Sequence, residues 1–185
     1  NTAVGYQAGY SATTNQNNVY VGYQSGYAAS AGQYCSYIGA NAGNNQIGGQ
    51  NTAVGYSAFY GSGTPANNTG TFNAAFGYNA LNVNTSGSSN VAIGHSALNA
   101  NTTANENTAV GYQAAYTNTT GASVVALGAY SLYYNTTGNY NVAVGREALR
   151  GNTTASNNTA VGYQAMYYPS AGGVSGSYNT CLLYT

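Results

Sequence analysis

A short apolar motif and a longer polar stretch alternate along the whole chain. The string NTAVGY occurs at Asn1, Asn51, Asn107 and Asn158. Looser copies read NVYVGY from Asn18, NAAFGY from Asn73, NVAIGH from Asn90 and NVAVGR from Asn141, with CSYIGA from Cys35 and VVALGA from Val124 in the same register. Their glycines are Gly5, Gly22, Gly39, Gly55, Gly77, Gly94, Gly111, Gly128, Gly145 and Gly162, which are 17 residues apart except for steps of 16 into Gly55 and 22 into Gly77. An eleventh copy, NTCLLY, starts at Asn179 with Leu183 in the glycine's place. Periods of this length mark stacked repeat architectures.

The position before each glycine is always a large apolar residue: Val4, Val21, Ile38, Val54, Phe76, Ile93, Val110, Leu127, Val144 and Val161. We read it as the buried core column. Three residues after the glycine only Ala or Ser occurs, as expected where another backbone comes close. Four after it, Gly9, Gly26 and Gly43 give way to Phe59, Leu81, Leu98, Ala115, Leu132, Leu149 and Met166. This predicts a change of thickness or of core packing between Gly43 and Phe59. Frequent glycines among Asn and Thr interrupt any helical stripe. The short β-branched pieces between them read as strands and turns. One such coil cannot bury its own apolar side, whereas a stack of coils covers each with the next. The sequence therefore predicts an all-β fold, a parallel β-solenoid of about ten 17-residue coils. Its expected parts are solenoid coils with small-residue columns over 1–60, an inserted loop over 61–72 that contains Pro65, regular coils over 73–168, and an irregular loop with the start of a further coil over 169–185.

Further columns are candidate ladders. The corner glycines suit a positive φ or a tight backbone approach. Asn1, Asn18, Asn51, Asn73, Asn90, Asn107, Asn141 and Asn158 stand four residues before them. Such side chains fold onto local backbone or stack as an amide ladder. Tyr6, Tyr23, Tyr56, Tyr78, Tyr112 and Tyr163 follow the glycine directly, and Tyr10, Tyr27, Tyr60, Tyr116, Tyr133 and Tyr167 lie five after it. Stacked rings serve either as packing or as a ligand surface for sugars and receptor proteins. The polar loops carry N-x-S/T at Asn67, Asn84, Asn101, Asn118, Asn135, Asn152 and Asn157, which makes them candidate glycosylation sites.

Composition sharpens this picture. The 185 residues include 2 Lys+Arg and 2 Asp+Glu, so the charged fraction is 2% and the formal net charge zero. A run of nucleic-acid phosphates has nothing here to neutralise it. No stretch reaches the length of an apolar membrane span, so no membrane insertion is expected of this segment. No nucleophile–base set, phosphate loop or metal cluster is present, so no catalytic residue, no metal site, no cofactor and no enzyme activity is expected. His95 lacks companion ligands, and Arg146, Glu147, Arg150 and Glu106 read as a surface cluster. Cys35 and Cys181 lie in different columns about nine coils apart, too far for an intrachain disulfide. The chain starts inside a repeat at Asn1, without an initiator Met, and stops inside another at Thr185, as a window from a longer protein would.

The motifs NTAVGYQAG, NVAIGHSAL and NVAVGREAL resemble the head repeats of trimeric autotransporter adhesins of the YadA-like kind, and equally the repeats of some phage tail fibres. The resemblance covers nearly the whole chain. It implies a homotrimer of left-handed parallel β-rolls, with the Val/Ile column in the core and the Ala/Ser column packed beside it. The adhesin repeat is usually shorter, so 17 residues imply a longer corner loop. Physics also favours association. Burying one Val-sized side chain is worth roughly 1.5–3 kcal/mol, while ordering each residue costs roughly 1–2 kcal/mol. Ladders and contacts between chains must supply the difference.

These readings point to a structural segment of an extracellular fibre or filament, a stiff non-catalytic rod for attachment on a cell surface or virion. Its expected partners are copies of itself, as a parallel homotrimer with the option of end-to-end stacking, and a host-surface receptor or glycan. The alternative is an ice-binding or carbohydrate-binding β-solenoid. Its Thr column, Thr2, Thr52, Thr108 and Thr159, is interrupted by Val19, Ala74, Val91 and Val142.

Overall fold

A computed structural model describes residues 1–172 and 176–183. Of the predicted irregular stretch 169–185, positions 173–175 and 184–185 lie outside the described residues. Eleven three-residue strands follow one another: β1 Thr2–Val4, β2 Val19–Val21, β3 Ser36–Ile38, β4 Thr52–Val54, β5 Ala74–Phe76, β6 Val91–Ile93, β7 Thr108–Val110, β8 Val125–Leu127, β9 Val142–Val144, β10 Thr159–Val161 and β11 Thr180–Leu182. They form one sheet in sequence order, each strand parallel to the next. The fold is an all-β solenoid in which each coil contributes one rung. No helix among the described residues is long and apolar enough to cross a membrane.

Register fixes which side chains point inward. Alternate residues of a strand face opposite sides, and in a three-residue strand only the middle one faces in. That residue is Ala53, Ala75, Ala92, Ala109, Ala126, Ala143 or Ala160, or Tyr20 or Tyr37 nearer the N-terminus, and all of these are fully buried. The expected core column is therefore corrected. Val4, Ile38, Phe76, Ile93 and Val110 are exposed, Val4 by 58%, and Val21, Val54, Leu127, Val144 and Val161 are only partly covered. The column lies on the outer face because it adjoins the inward residue in a strand whose side chains alternate, and the interior is already filled from beyond the corner glycine or by Tyr20 and Tyr37.

The rest of the interior comes from beyond the corner glycine. The Ala/Ser column, from Ser25 to Ala165, is buried, and so are Phe59, Leu81, Leu98, Ala115, Leu132 and Leu149. The shift seen in sequence at Gly43 and Phe59 is an exchange of volume between columns. Where Tyr20 and Tyr37 occupy the strand position, Gly9, Gly26 and Gly43 occupy the facing one, and a Cβ on Gly26 or Gly43 would run into the tyrosine ring. Where the strand position is Ala, Phe59, Leu81, Leu98, Leu132 and Leu149 fill the same space, with Ala115 and Met166 as the exceptions. Burial pushes the phenol pKa of both tyrosines up.

Turns close each coil through left-handed backbone. Besides the corner glycine, the second and fourth residues after it and the residue before the Asn column have positive φ, as Gln113 (51°), Ala115 (49°) and Glu106 (60°) show around Gly111 (140°). The corner φ is one that L-residues rarely adopt, and the stack adds a steric limit. A Cβ on Gly5 would lie 2.6 Å from the carbonyl oxygen of Gly22 in the next coil. Any side chain there separates two rungs.

The 22-residue step leaves the sheet undisturbed, since Thr52 of β4 still pairs with Ala74 of β5. The extra residues form a loop with a 3-10 turn at Pro65–Asn67. Asn68 pins it by turning inward and donating to the carbonyls of Asn45 (3.0 Å) and Ser62 (2.9 Å).

The volume exchange makes a specific prediction. Tyr37→Ala should destabilise the protein by about 3–5 kcal/mol, the usual cost of deleting a large buried ring. Gly43→Leu alone should also destabilise, because its side chain meets Tyr37. The double variant should recover most of the loss, since Leu81 and Leu98 adopt the same left-handed φ at the matching position. Urea unfolding of the three variants measures this, and additive losses would refute the exchange.

Candidate interaction surface

Two amide ladders fill the side of the coil opposite its Ala/Leu half. In the first, each Asn accepts the backbone N–H of the matching residue one coil on. Asn73 Oδ1 accepts from Asn90 N (3.0 Å), Asn90 from Asn107 N (3.0 Å), Asn107 from Val124 N (3.0 Å) and Asn141 from Asn158 N (2.9 Å). Asn1, Asn18 and Asn51 do the same for Asn18, Cys35 and Asn73. The Nδ2 groups donate to loop carbonyls, Asn73 to Gly87 at 2.9 Å and Asn141 to Ala155 at 2.8 Å. This half of the coil is buried but polar, and it is tolerable because its amides are paired.

The second ladder is built from the residues read as glycosylation sites. Asn84, Asn101, Asn118, Asn135 and Asn152 are fully buried. Each donates one amide hydrogen to a carbonyl three residues on, as Asn118 does to Gly121 at 2.8 Å. From Asn101 onward each donates the other to the preceding rung, Asn101 to Asn84 at 2.8 Å, Asn118 to Asn101 at 3.2 Å, and Asn135 to Asn118 and Asn152 to Asn135 at 2.6 Å. A glycan on such a nitrogen would remove a donor and has nowhere to lie. This overturns the glycosylation reading at these five positions. Asn67 is exposed on the inserted loop and Asn157 is half-buried. A cue was present in the sequence, because the residue three after each of these Asn is always Gly or Ala, which leaves its carbonyl open to the amide.

With amides inside, the apolar groups left outside gather on the sheet. Its outward positions are the Val/Ile column and, two residues earlier, a mixed column of Thr2, Val19, Ser36, Thr52, Ala74, Val91, Thr108, Val125, Val142, Thr159 and Thr180. The columns are about 7 Å apart and run roughly 48 Å, from strand rise and strand spacing. This face carries no charged residue.

The first tyrosine column flanks it, half-exposed. Tyr6 stacks on Tyr23 with ring centroids 5.4 Å apart, and Tyr56, Tyr78, His95 and Tyr112 form a continuous stack at 5.4, 4.9 and 5.1 Å. His95 is thus an aromatic rung, and no group of His, Cys, Asp and Glu suited to a metal ion occurs among the described residues. In the second column Tyr10 stacks on Tyr27 at 5.1 Å and Tyr116 on Tyr133 at 5.3 Å.

Both arginines act as rungs too, which the sequence did not reveal. Arg146 lies over Tyr163 at 5.9 Å, and Arg150 lies 5.6–5.8 Å from Tyr130, Tyr133, Tyr134 and Tyr167. Cation–π attraction lets a guanidinium take an aromatic place in a ladder. Arg146 also pairs with Glu147 at 3.4 Å, and Glu147 accepts from Gln164 at 2.7 Å. Desolvation and the neighbouring phenols raise the pKa of Tyr133, while Arg150 works against them. Cys35 and Cys181 are free thiols.

Comparison with protein-family models, curated proteins and solved structures finds no match.

Two measurements check the ladder. Asn118→Ala should cost about 2–3 kcal/mol in urea unfolding, because it strips partners from buried amides on both sides. The exposed neighbour Thr120→Ala should stay within about 0.5 kcal/mol of the parent. In addition, peptides containing Asn84, Asn101, Asn118, Asn135 and Asn152 should carry no glycan by mass spectrometry when the chain is made in a host with N-linked machinery. Occupancy at any of the five would contradict the internal ladder.

Proposed function

We propose that this chain is a stiff, non-catalytic rod within an extracellular fibre on a cell surface or virion, of the kind its repeats resemble in trimeric autotransporter adhesins and phage tail fibres. It works as a parallel homotrimer that holds a receptor-binding or glycan-binding tip at a distance. The observation that carries this reading is the outer sheet face, uncharged and continuous over eleven strands, with an unbroken apolar column from Val4 to Val161 beside a mixed column of Thr, Ser, Val and Ala. Parallel copies present the same columns at the same spacing, so contact made at one coil repeats at the next. Covering the remaining half of a Val-sized side chain is worth about 1 kcal/mol. Ten coils then give about 10 kcal/mol per chain, on the scale of the roughly 4–15 kcal/mol that association costs. Two or three coils would not suffice, which gives the long repeat a purpose. Closed rotational symmetry satisfies the face while leaving the axis free to extend.

A second reading, binding to ice or to carbohydrate, draws on the outward placement of Thr2, Thr52, Thr108 and Thr159 beside the Val/Ile column. Interruption of that Thr column by Val and Ala weakens it. Thermal hysteresis in a purified sample would favour it over the fibre.

Sedimentation equilibrium should give three times the chain mass of 18.8 kDa. Ile93→Asp with Val110→Asp, on the outer face, should shift the mass toward that of one chain while β-sheet circular dichroism persists. A folded parent that stays monomeric at high concentration would refute the trimer.

A further inference from the structure

The first tyrosine column has one empty rung. Its occupants run Tyr6, Tyr23, Ala40, Tyr56, Tyr78, His95, Tyr112, Ala129, Arg146 and Tyr163. Two alanines break it, and the chain treats them differently. At Ala129 the next residue is Tyr130, whose ring meets Tyr112 edge-on at 5.2 Å, so an aromatic group still covers the end of the stack. At Ala40 the next residue is Asn41, half-buried, and its side-chain oxygen accepts from Asn44 at 3.4 Å. Nothing aromatic from this position reaches the gap. Tyr23 and Tyr56, each 51% exposed, stand on either side of the half-buried Ala40.

The height of the gap is set by backbone. Asn41 N donates to the carbonyl of Tyr23 at 2.8 Å, and Ser57 N donates to that of Ala40 at 3.0 Å. The backbones that carry the two rings therefore sit two coil steps apart, about 10 Å. A flat ring placed midway would lie about 5 Å from each, the same separation as the stacked pairs elsewhere in the column. Ala40 forms the floor, and the exposed Ile38 lies to one side.

We propose that the Ala40 gap is a binding slot for one planar aromatic ring of a small soluble molecule, a phenol or an indole. The ring stacks between Tyr23 and Tyr56 and restores the missing rung. Its polar substituent points outward to water, as the tyrosine hydroxyls of the column do. Selectivity is for flatness, because a puckered ring of the same width cannot contact both tyrosines face to face. The slot belongs to a single chain and does not depend on the fibre reading.

The test uses p-cresol, the free equivalent of the absent side chain, titrated into the full chain labelled at its alanine methyl groups. The Ala40 methyl signal should move downfield, because it lies at the edge of the bound ring and not over its face, and should saturate. 4-Methylcyclohexanol, similar in size but not planar, should leave it unmoved. Ala40→Tyr, a residue this column accepts in six other coils, should abolish the shift by filling the slot. Tyr56→Ala should weaken binding about fivefold, the usual worth of one aromatic contact. The proposal is overturned if p-cresol does not move Ala40 up to its solubility limit. It is equally overturned if 4-methylcyclohexanol binds as well, or if Ala40→Tyr gives the parent's saturation curve when read at the remaining alanine methyls.

Discussion

Every side chain in this protein must tolerate a copy of its neighbours directly above and below, at the spacing of adjacent parallel strands. That constraint sorts the residue types. An amide donates and accepts at once, so Asn101 can pair with Asn84 on one side and Asn118 on the other. Aromatic rings stack. Methyl groups nest. A like charge would repel its copies, and the four charged residues never stack on one another as a ladder of one sign. Glu147 sits beside Arg146, and each arginine lies against tyrosines. The near-absence of charge is thus a property of the stacking itself.

The same constraint explains how the interior manages without large aliphatic residues in the strands. Half of the coil is packed by Ala and Leu, and the other half is a hydrogen-bonded column of amides. A buried amide is costly alone, but in a ladder most of its groups are satisfied. Coils nearer the N-terminus reach the same filling by another route, with Tyr20 and Tyr37 crossing the interior and Asn15 donating to the Tyr20 hydroxyl at 3.1 Å. The inserted loop falls at the junction of the two schemes. There Gln46 donates past one coil to the carbonyl of Asn84 at 3.1 Å, and Asn68 turns in to meet the loop.

Much of the fold was legible in the sequence, because periodicity reports on topology directly. The 17-residue step, the corner glycines and the position of the insertion all follow from lining up the motifs. What misled was size. Val4 to Val161 form the largest invariant apolar column, and large apolar residues are ordinarily inside. Here strand alternation decides: the middle residue of each rung, Ala53 or Ala92, faces in, and Val54 and Ile93 beside it face out. The Asn-Thr-Thr loops misled in a similar way. Their local pattern matches a surface modification signal, but Asn118 faces in while Thr120 faces out. A three-residue motif does not say which side of the wall it is on. The roles of Arg146 and Arg150 were illegible for a different reason, since each acts as a substitute ring and that depends on the tyrosines above and below.

The second amide ladder also has a direction. Each Nδ2 donates toward the lower-numbered coil, so the small amide dipoles add along the axis instead of cancelling. The run stops at Asn152, whose buried Oδ1 has no partner, and the corresponding place one coil on is held by Pro169, which has no amide to offer. The column is therefore a polar wire with unlike ends, short of a donor at one of them. Two such wires laid side by side and pointing the same way repel weakly. Any parallel bundle must overcome that with contacts elsewhere, and an antiparallel one would not. The amides that hold a single coil stack together thus bias how stacks can be oriented against each other.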